Sequence, residues 1–223
     1  MVDVATNLSN IQENIRQACA NANRSPEDIR LIAVTKYVTI ERTKEAINAG
    51  IDNLGENRNE GFLEKYNEIQ NQVNWHFIGS LQSRKVKDII NQVDFIHSLD
   101  RKSLAKEINK RATHPVNCFV QVNVSGEESK HGIFPDEVIS FIKSLSGYEN
   151  IKIVGLMTMA PHVEDPEDVR SVFKKLRDLR DEITKKELPH APCEWLSMGM
   201  SNDYHIAIEE GATHVRIGSK LVG

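Results

Sequence analysis

Three places in this sequence bring together residue types that could do chemistry as a group. Lys36 follows directly on the apolar run Arg30-Leu31-Ile32-Ala33-Val34-Thr35. Gly199 and Ser201 stand in Ser197-Met198-Gly199-Met200-Ser201, and Gly218 and Ser219 follow Arg216-Ile217. A lysine whose stem packs among apolar neighbours is partly desolvated, which lowers its pKa and lets the free amine form an imine with an aldehyde. Around an anion, glycine lets backbone approach closely and serine adds a hydroxyl. A helix starting at Asn202-Asp203 would turn free N–H groups toward the same charge. Taken singly, each feature has a plainer reading: the lysine could simply reach solvent, and the Gly-Ser strings could be tight turns. Together they describe a site for a phosphorylated aldehyde, and pyridoxal 5′-phosphate (PLP) fits that description.

For these residues to meet, the chain between them must bring the ends of distant elements together. The first segment carries Val4, Leu8, Ile11, Ile15, Cys19 and Ala22 at helical spacing and precedes any strand, so it is expected to pack outside the main sheet. From Arg30 onward, short apolar runs alternate with amphipathic stretches. Strands are expected over residues 30–35, 52–55, 75–78, 95–97, 116–124, 151–157, 194–197 and 214–217. Thr39 can cap a helix that Gly50 ends; Asp165 and Pro166 open the best-marked helix, with Phe173, Leu176 and Ile183 behind them. The strands are continuous apolar runs, as in a parallel sheet covered by helices. About eight repeats in 223 residues favour one domain over residues 1–223, a (β/α)8 barrel with an extra N-terminal helix. A doubly wound open sheet is the alternative with the same periodicity. In a barrel, the active face lies at the carboxyl ends of the strands and phosphate is held by the loops after strands seven and eight. That places Lys36 at the end of strand one, facing Gly199 and Ser201 after strand seven and Gly218 and Ser219 after strand eight.

Composition narrows the setting. The net charge of −4 leaves no general basic field for a nucleic acid. No apolar run approaches the ~18 residues needed to span a bilayer, and the polar start Met-Val-Asp-Val-Ala-Thr-Asn lacks the order of a secretion signal. Cys19, Cys118 and Cys193 form no pairing pattern, which suits a reducing cytosol. Cys19 and Cys118 read as small core residues, and Cys193 could be core or surface. His76 and His97 fall within strands, where a hydrogen-bonded core histidine is the commoner outcome; with His131, His162 and His205 they show no metal-ligand spacing. A cytoplasmic protein with no metal, nucleic-acid or membrane partner is expected.

The stretches Ala33-Val34-Thr35-Lys36, Gly55-Glu56-Asn57, Trp75-His76-Phe77-Ile78-Gly79 and Gln121-Val122-Asn123-Val124-Ser125 resemble the YggS/PROSC family of pyridoxal phosphate homeostasis proteins. So do Gly155-Leu156-Met157, Leu196-Ser197-Met198-Gly199-Met200-Ser201 and Val215-Arg216-Ile217-Gly218, so that the likeness runs nearly end to end. It implies a barrel like the N-terminal domain of alanine racemase (fold type III of PLP proteins), with PLP held as a Schiff base on Lys36. By the same likeness, phosphate contacts fall on Ser201, Gly218 and Ser219, with Asn57 and Arg216 near the ring. The chain departs from the family at Thr35, often serine, at Tyr37-Val38, often Thr-Lys, and at Val222-Gly223 in place of a Phe-Gly-x-Arg ending.

Three functions compete. The resemblance implies a PLP carrier or buffer in vitamin B6 and amino-acid homeostasis, a monomer with PLP-requiring apo-enzymes as recipients. A PLP-dependent amino-acid racemase would need a proton-transfer group on each face of the substrate carbon. Of Tyr37, Tyr66, Tyr148 and Tyr204, Tyr37 alone lies near the expected mouth, and the β-rich domain that supplies a second base in alanine racemase is not expected here. A lysine-dependent aldolase would use the phosphate cup for a sugar phosphate. The carrier reading is preferred. Within it, Arg216 either meets the pyridine nitrogen or forms a salt bridge with a carboxylate such as Glu56, and Lys130 is either a solvated loop residue or a second amine that receives PLP.

Overall fold

The computed structural model describes residues 3–127, 131–161 and 163–223. It opens with helix α1 (Val4–Asn21), after which strands and helices alternate. The strands are β1 (Arg30–Val34), β2 (Asn53–Glu56), β3 (Asn74–Phe77), β4 (Phe95–Leu99), β5 (Val116–Gln121), β6 (Ile151–Met157), β7 (Trp195–Met200) and β8 (His214–Ile217). Between them lie α2 (Ile40–Asn48), α3 (Asn59–Ile69), α4 (Val86–Ile89), α5 (Lys102–Arg111), α6 (Pro135–Lys143), α7 (Arg170–Thr184) and α8 (Tyr204–Glu209), and α9 (Ser219–Val222) follows β8. Each strand pairs in parallel with the next, and β1 also pairs with β8 through Arg30↔His214 to Ala33↔Ile217. That last pairing closes the sheet and rules out the open alternative.

Local chemistry accounts for the boundaries. The Thr39 hydroxyl accepts from the Arg42 N–H to cap α2, and Gly50 follows it at a φ of 108°. Asp165 caps a short 3-10 turn over Pro166–Val169 that leads into α7. The last turn, α9, is a helix the apolar pattern does not signal. Two strand ends also move: β5 stops at Gln121, short of the expected Val124, and β7 runs on to Met200, beyond the expected Ser197.

The apolar shell between strands and helices forms one large core that includes α1. Asn7 and Asn14 of α1 donate to the Leu221 carbonyl and the Tyr204 hydroxyl at 3.0 Å each, so the extra helix docks on α8 and α9. All three cysteines are buried there, and burial pushes the Cys118 and Cys193 thiols up to about 12. Among the described residues no helix is long and apolar enough to cross a membrane.

The barrel interior is different. Side chains from non-adjacent strands meet there, such as Phe95 with Trp195 and His97 with Ser197, and aromatic and polar groups share the filling with Val154 and Met157. Gly155 of β6 makes this crowding possible, since a Cβ there would sit 2.0 Å from the Trp195 carbonyl oxygen and 2.9 Å from the Phe119 ring. Gly155→Ala should therefore cost about 1–3 kcal/mol through overpacking. A urea melt followed by circular dichroism checks this, and an unchanged midpoint would contradict the packing.

Candidate functional site

The carboxyl ends of the strands surround a cavity of about 530 Å³. Its walls include all six expected residues: Lys36, Asn57, Ser201, Arg216, Gly218 and Ser219. Register alone brought Lys36 and the two Gly-Ser segments to one face. Ser80 also lines it and was not anticipated, and Gln121 and Asp203, named in the sequence without a side-chain role, stand in the same wall. Lys130, with Glu128 and Ser129, lies outside the described residues, as does His162.

Lys36 sits one residue beyond a tightly held peptide. The Thr35 N–H donates to the Gly55 carbonyl at 3.1 Å, and its hydroxyl donates to Glu56 Oε1 at 2.7 Å. Lys65, on α3, reaches the same spot: its Nζ donates to the Thr35 carbonyl at 2.9 Å and pairs with Glu56 at 2.8 Å, both partners being buried. A buried pair of this kind survives because each charge has further hydrogen bonds. Glu56 is thus engaged with Lys65, and the alternative salt bridge from Arg216 is not formed. Lys36 itself corrects an expectation. Its side chain is exposed rather than packed along the strand, with Nζ 5.6 Å from the centre of the Tyr37 ring. The chain turns away from β1 directly after Thr35, with Tyr37 at a φ of 69°, so no apolar sleeve forms around the lysine stem.

The cup is built where two segments end. The helix expected at Asn202-Asp203 has Asp203 as its N-cap residue and runs over Tyr204–Glu209, and Gly218 is the N-cap of the four-residue α9. Gly199 lies within β7 at a φ of 90°, where a Cβ would stand 2.6 Å from the Ala207 methyl carbon. Glycine there lets β7 bend against α8 and deliver Ser201 to the mouth. The Gly218 N–H and the Ser219 hydroxyl each point at Ser201 Oγ from 3.4 Å. These are long bonds, near the limit of useful geometry, so three donors stand together and lightly committed. A phosphate could take them over with shorter, charge-assisted bonds.

Arg216 is only 5% exposed. One terminal nitrogen, Nη1, donates to Ser197 Oγ at 2.5 Å, and the other, Nη2, to the Thr158 carbonyl at 2.9 Å. Burial holds its pKa down to about 10, so it remains a cation at neutral pH. No ion pair to Arg216 forms among the described residues. Asp203, the carboxylate in the wall, accepts from the Met200 N–H at 2.6 Å. The set of an amine, a donor cup and a neutral-partnered arginine suits an aldehyde with a phosphate and a basic ring nitrogen. His76 and His97 are buried in the interior beneath, hydrogen-bonded as core histidines are expected to be. No group of three or more His, Cys, Asp or Glu side chains among the described residues is placed to hold a metal ion.

Comparison with known proteins agrees with this fold. The alanine racemase N-terminal domain family matches residues 6–223. A pyridoxal phosphate homeostasis protein of Aquifex aeolicus is 45% identical over 97% of this chain and 96% of its own length. The solved structure of PipY from Synechococcus elongatus with PLP bound superposes with a TM-score of 0.85 at 28% identity, covering 99% of this chain and all of PipY (100%). Alanine racemase from Corynebacterium glutamicum shares the fold, with a TM-score of 0.72 at 13% identity over 95% of this chain and 59% of that one. On the full-length match and the shared barrel, the chain belongs to the family of pyridoxal phosphate homeostasis proteins, built on the alanine racemase N-terminal domain.

Proposed function

We propose that this chain binds PLP at the carboxyl-end face of its barrel, linked covalently to Lys36, and serves as a carrier and buffer of the cofactor without robust turnover. The observation that carries this reading is the convergence of three chemically distinct groups on one cavity: the Lys36 amine, the cup of Ser201, Gly218 and Ser219, and Arg216. The family's homeostasis proteins and the PLP-bound PipY structure support it.

Each residue has one task. Ser201, Gly218 and Ser219 bind the phosphate and set its depth. Asn57 borders the ring, and its peptide is packed so closely on Gly79 that a Cβ there would stand 2.1 Å from the Asn57 carbonyl oxygen. Lys36 supplies the amine, and its exposure lets incoming amines reach the same carbon. Bound PLP supplies an aldehyde carbon that captures amines and a ring that can draw electrons from them.

Arg216 restrains the second of these. Arginine donates hydrogen bonds and accepts none, so it pairs with a ring nitrogen that carries no proton, and such a ring withdraws electrons weakly. A second restraint is the shortage of bases. Among the described cavity residues, Lys36, Asp203 and Arg216 are the ionisable ones, and Asp203 is engaged by backbone. Tyr204 is buried with its hydroxyl accepting from Asn14, while Tyr37 is 75% exposed and stacks with Lys36 and Arg58. Racemization needs a proton donor and acceptor on both faces of the substrate carbon, and these residues supply one face. Enzymes that require PLP, met in the cytoplasm, would be the recipients.

Lys36→Ala should abolish covalent attachment while leaving the fold intact, because the side chain is exposed. Borohydride reduction and peptide mapping by mass spectrometry read this, and a pyridoxyl group found on another lysine, such as Lys130, sinks the assignment. The pair Ser201→Ala and Ser219→Ala should weaken retention of PLP without preventing attachment, each lost bond to a charged group costing about 1.5–3 kcal/mol. Pyridoxal should bind the unmutated protein poorly for the same reason, and equal binding of pyridoxal and PLP would move the phosphate elsewhere. The PLP-loaded protein in heavy water should exchange the α-hydrogen of alanine far more slowly than PLP enzymes do; exchange at an enzyme's rate would make it an enzyme.

A further inference from the structure

Arg216 is the mouth end of a hydrogen-bond chain that crosses the barrel. Ser197 Oγ, which accepts from Arg216, lies 2.8 Å from His97 Nδ1. His97 Nε2 is 2.9 Å from His76 Nδ1, and His76 Nε2 is 2.9 Å from Asn53 Oδ1. Asn53 Nδ2 donates to Asp52 Oδ1 at 2.6 Å, on the opposite face of the barrel, where Asp52 is exposed. The four side chains between the two ends are buried.

The two ends fix the direction of every proton in between. Arginine can only donate and a carboxylate can only accept. Asp52 therefore keeps the Asn53 amide nitrogen toward itself and the Asn53 oxygen toward His76. His76 must then carry its proton on Nε2, which leaves Nδ1 to accept from His97 Nε2–H. His97 Nδ1 is left as an acceptor, and the Ser197 hydroxyl proton goes to it. The lone pairs of Ser197 Oγ are thereby held toward Arg216. With both imidazoles neutral this is the one arrangement that satisfies every atom in the row. Burial keeps them neutral, holding His76 down to about 3 and His97 well below its ordinary value.

We propose that Ser197 is the positioning residue for Arg216, its hydroxyl oriented by His97, His76 and Asn53 so that the guanidinium is locked facing the cavity. This rests on the carrier reading above and deepens it. With Nη1 held by Ser197 and Nη2 by the Thr158 carbonyl, the guanidinium plane has two fixed points. Removing Ser197 leaves one, and the guanidinium can swing about it. The hydrogen bond to the ring nitrogen then loosens, although nothing that touches PLP has been changed.

Two measurements test this. In the unliganded wild-type protein, long-range 15N–1H NMR of the imidazoles should find His76 and His97 protonated at Nε2 alone; a proton on Nδ1 of either overturns the chain whatever any variant does. In the PLP-loaded protein, Ser197→Ala should release PLP at least about tenfold faster, the lower end of what one hydrogen bond to a charged group is worth, and should change the visible absorption spectrum. Ser197→Thr, which keeps the hydroxyl, should restore both. A folded Ser197→Ala with wild-type release and spectrum overturns the proposal while the carrier reading stands. No PLP adduct on the wild-type protein overturns that reading and the proposal with it.

Discussion

A cation buried in the mouth of a closed barrel has to be stabilised there, and most of this interior follows from how Arg216 is. Taking a guanidinium out of water costs several kcal/mol even after relaxation, and a facing carboxylate is the usual compensation. Here its partners are neutral: a serine hydroxyl and a backbone carbonyl. Ser197 can accept from Arg216 and also use its own proton only if something below accepts that proton. His97 does, and it needs His76 for the same reason, down to Asn53 and the exposed Asp52. The polar row through the barrel is thus what a mouth arginine with no carboxylate in hydrogen-bond contact requires. The charge of Asp203, in the same cavity wall, offsets only part of the cost of burial. A carboxylate paired directly with Arg216 would have stabilised it more and would have occupied its free donors.

The rim is governed by the opposite principle. Lys36 and Ser219 are exposed and Ser201 is half-buried. The cup donors are joined to one another by bonds of 3.4 Å. Weakly committed donors can exchange partners at little cost, which suits a site that loads and unloads. Precision is kept one residue back. The Thr35 peptide is tied to Gly55, Glu56 and Lys65, so the root of Lys36 is fixed while its amine remains free. A rigid floor with a loose rim can hold a ligand in a defined pose without sealing it from competing amines.

Much of this was legible in the residues. The alternation of apolar runs and amphipathic stretches is a consequence of parallel strands buried on both faces, so it marks each strand and orders Lys36, Ser201 and Ser219 at the same face before any coordinates are known. Histidines within strands pointed correctly to a hydrogen-bonded interior. Caps at Thr39 and Asp165 are local hydrogen bonds and could be read from neighbours in the chain.

Tertiary structure alone decided the rest, because the deciding contacts join residues far apart in the chain. Closure depends on β1 meeting β8, and periodicity is the same in an open sheet. The exposure of Lys36 depends on where the chain turns after Thr35. The partner of Glu56 is Lys65, on a helix, and not Arg216, since the pair forms only once α3 has packed on β2. Ser197 looks like any small strand residue until its hydroxyl is seen between His97 and Arg216. Composition and spacing determined the strand–helix alternation and brought one lysine and two Gly-Ser segments to the same face, because those rest on periodicity and residue type. The proton order beneath Arg216 needed the folded barrel, because a hydrogen bond has a direction only when both its partners are in place.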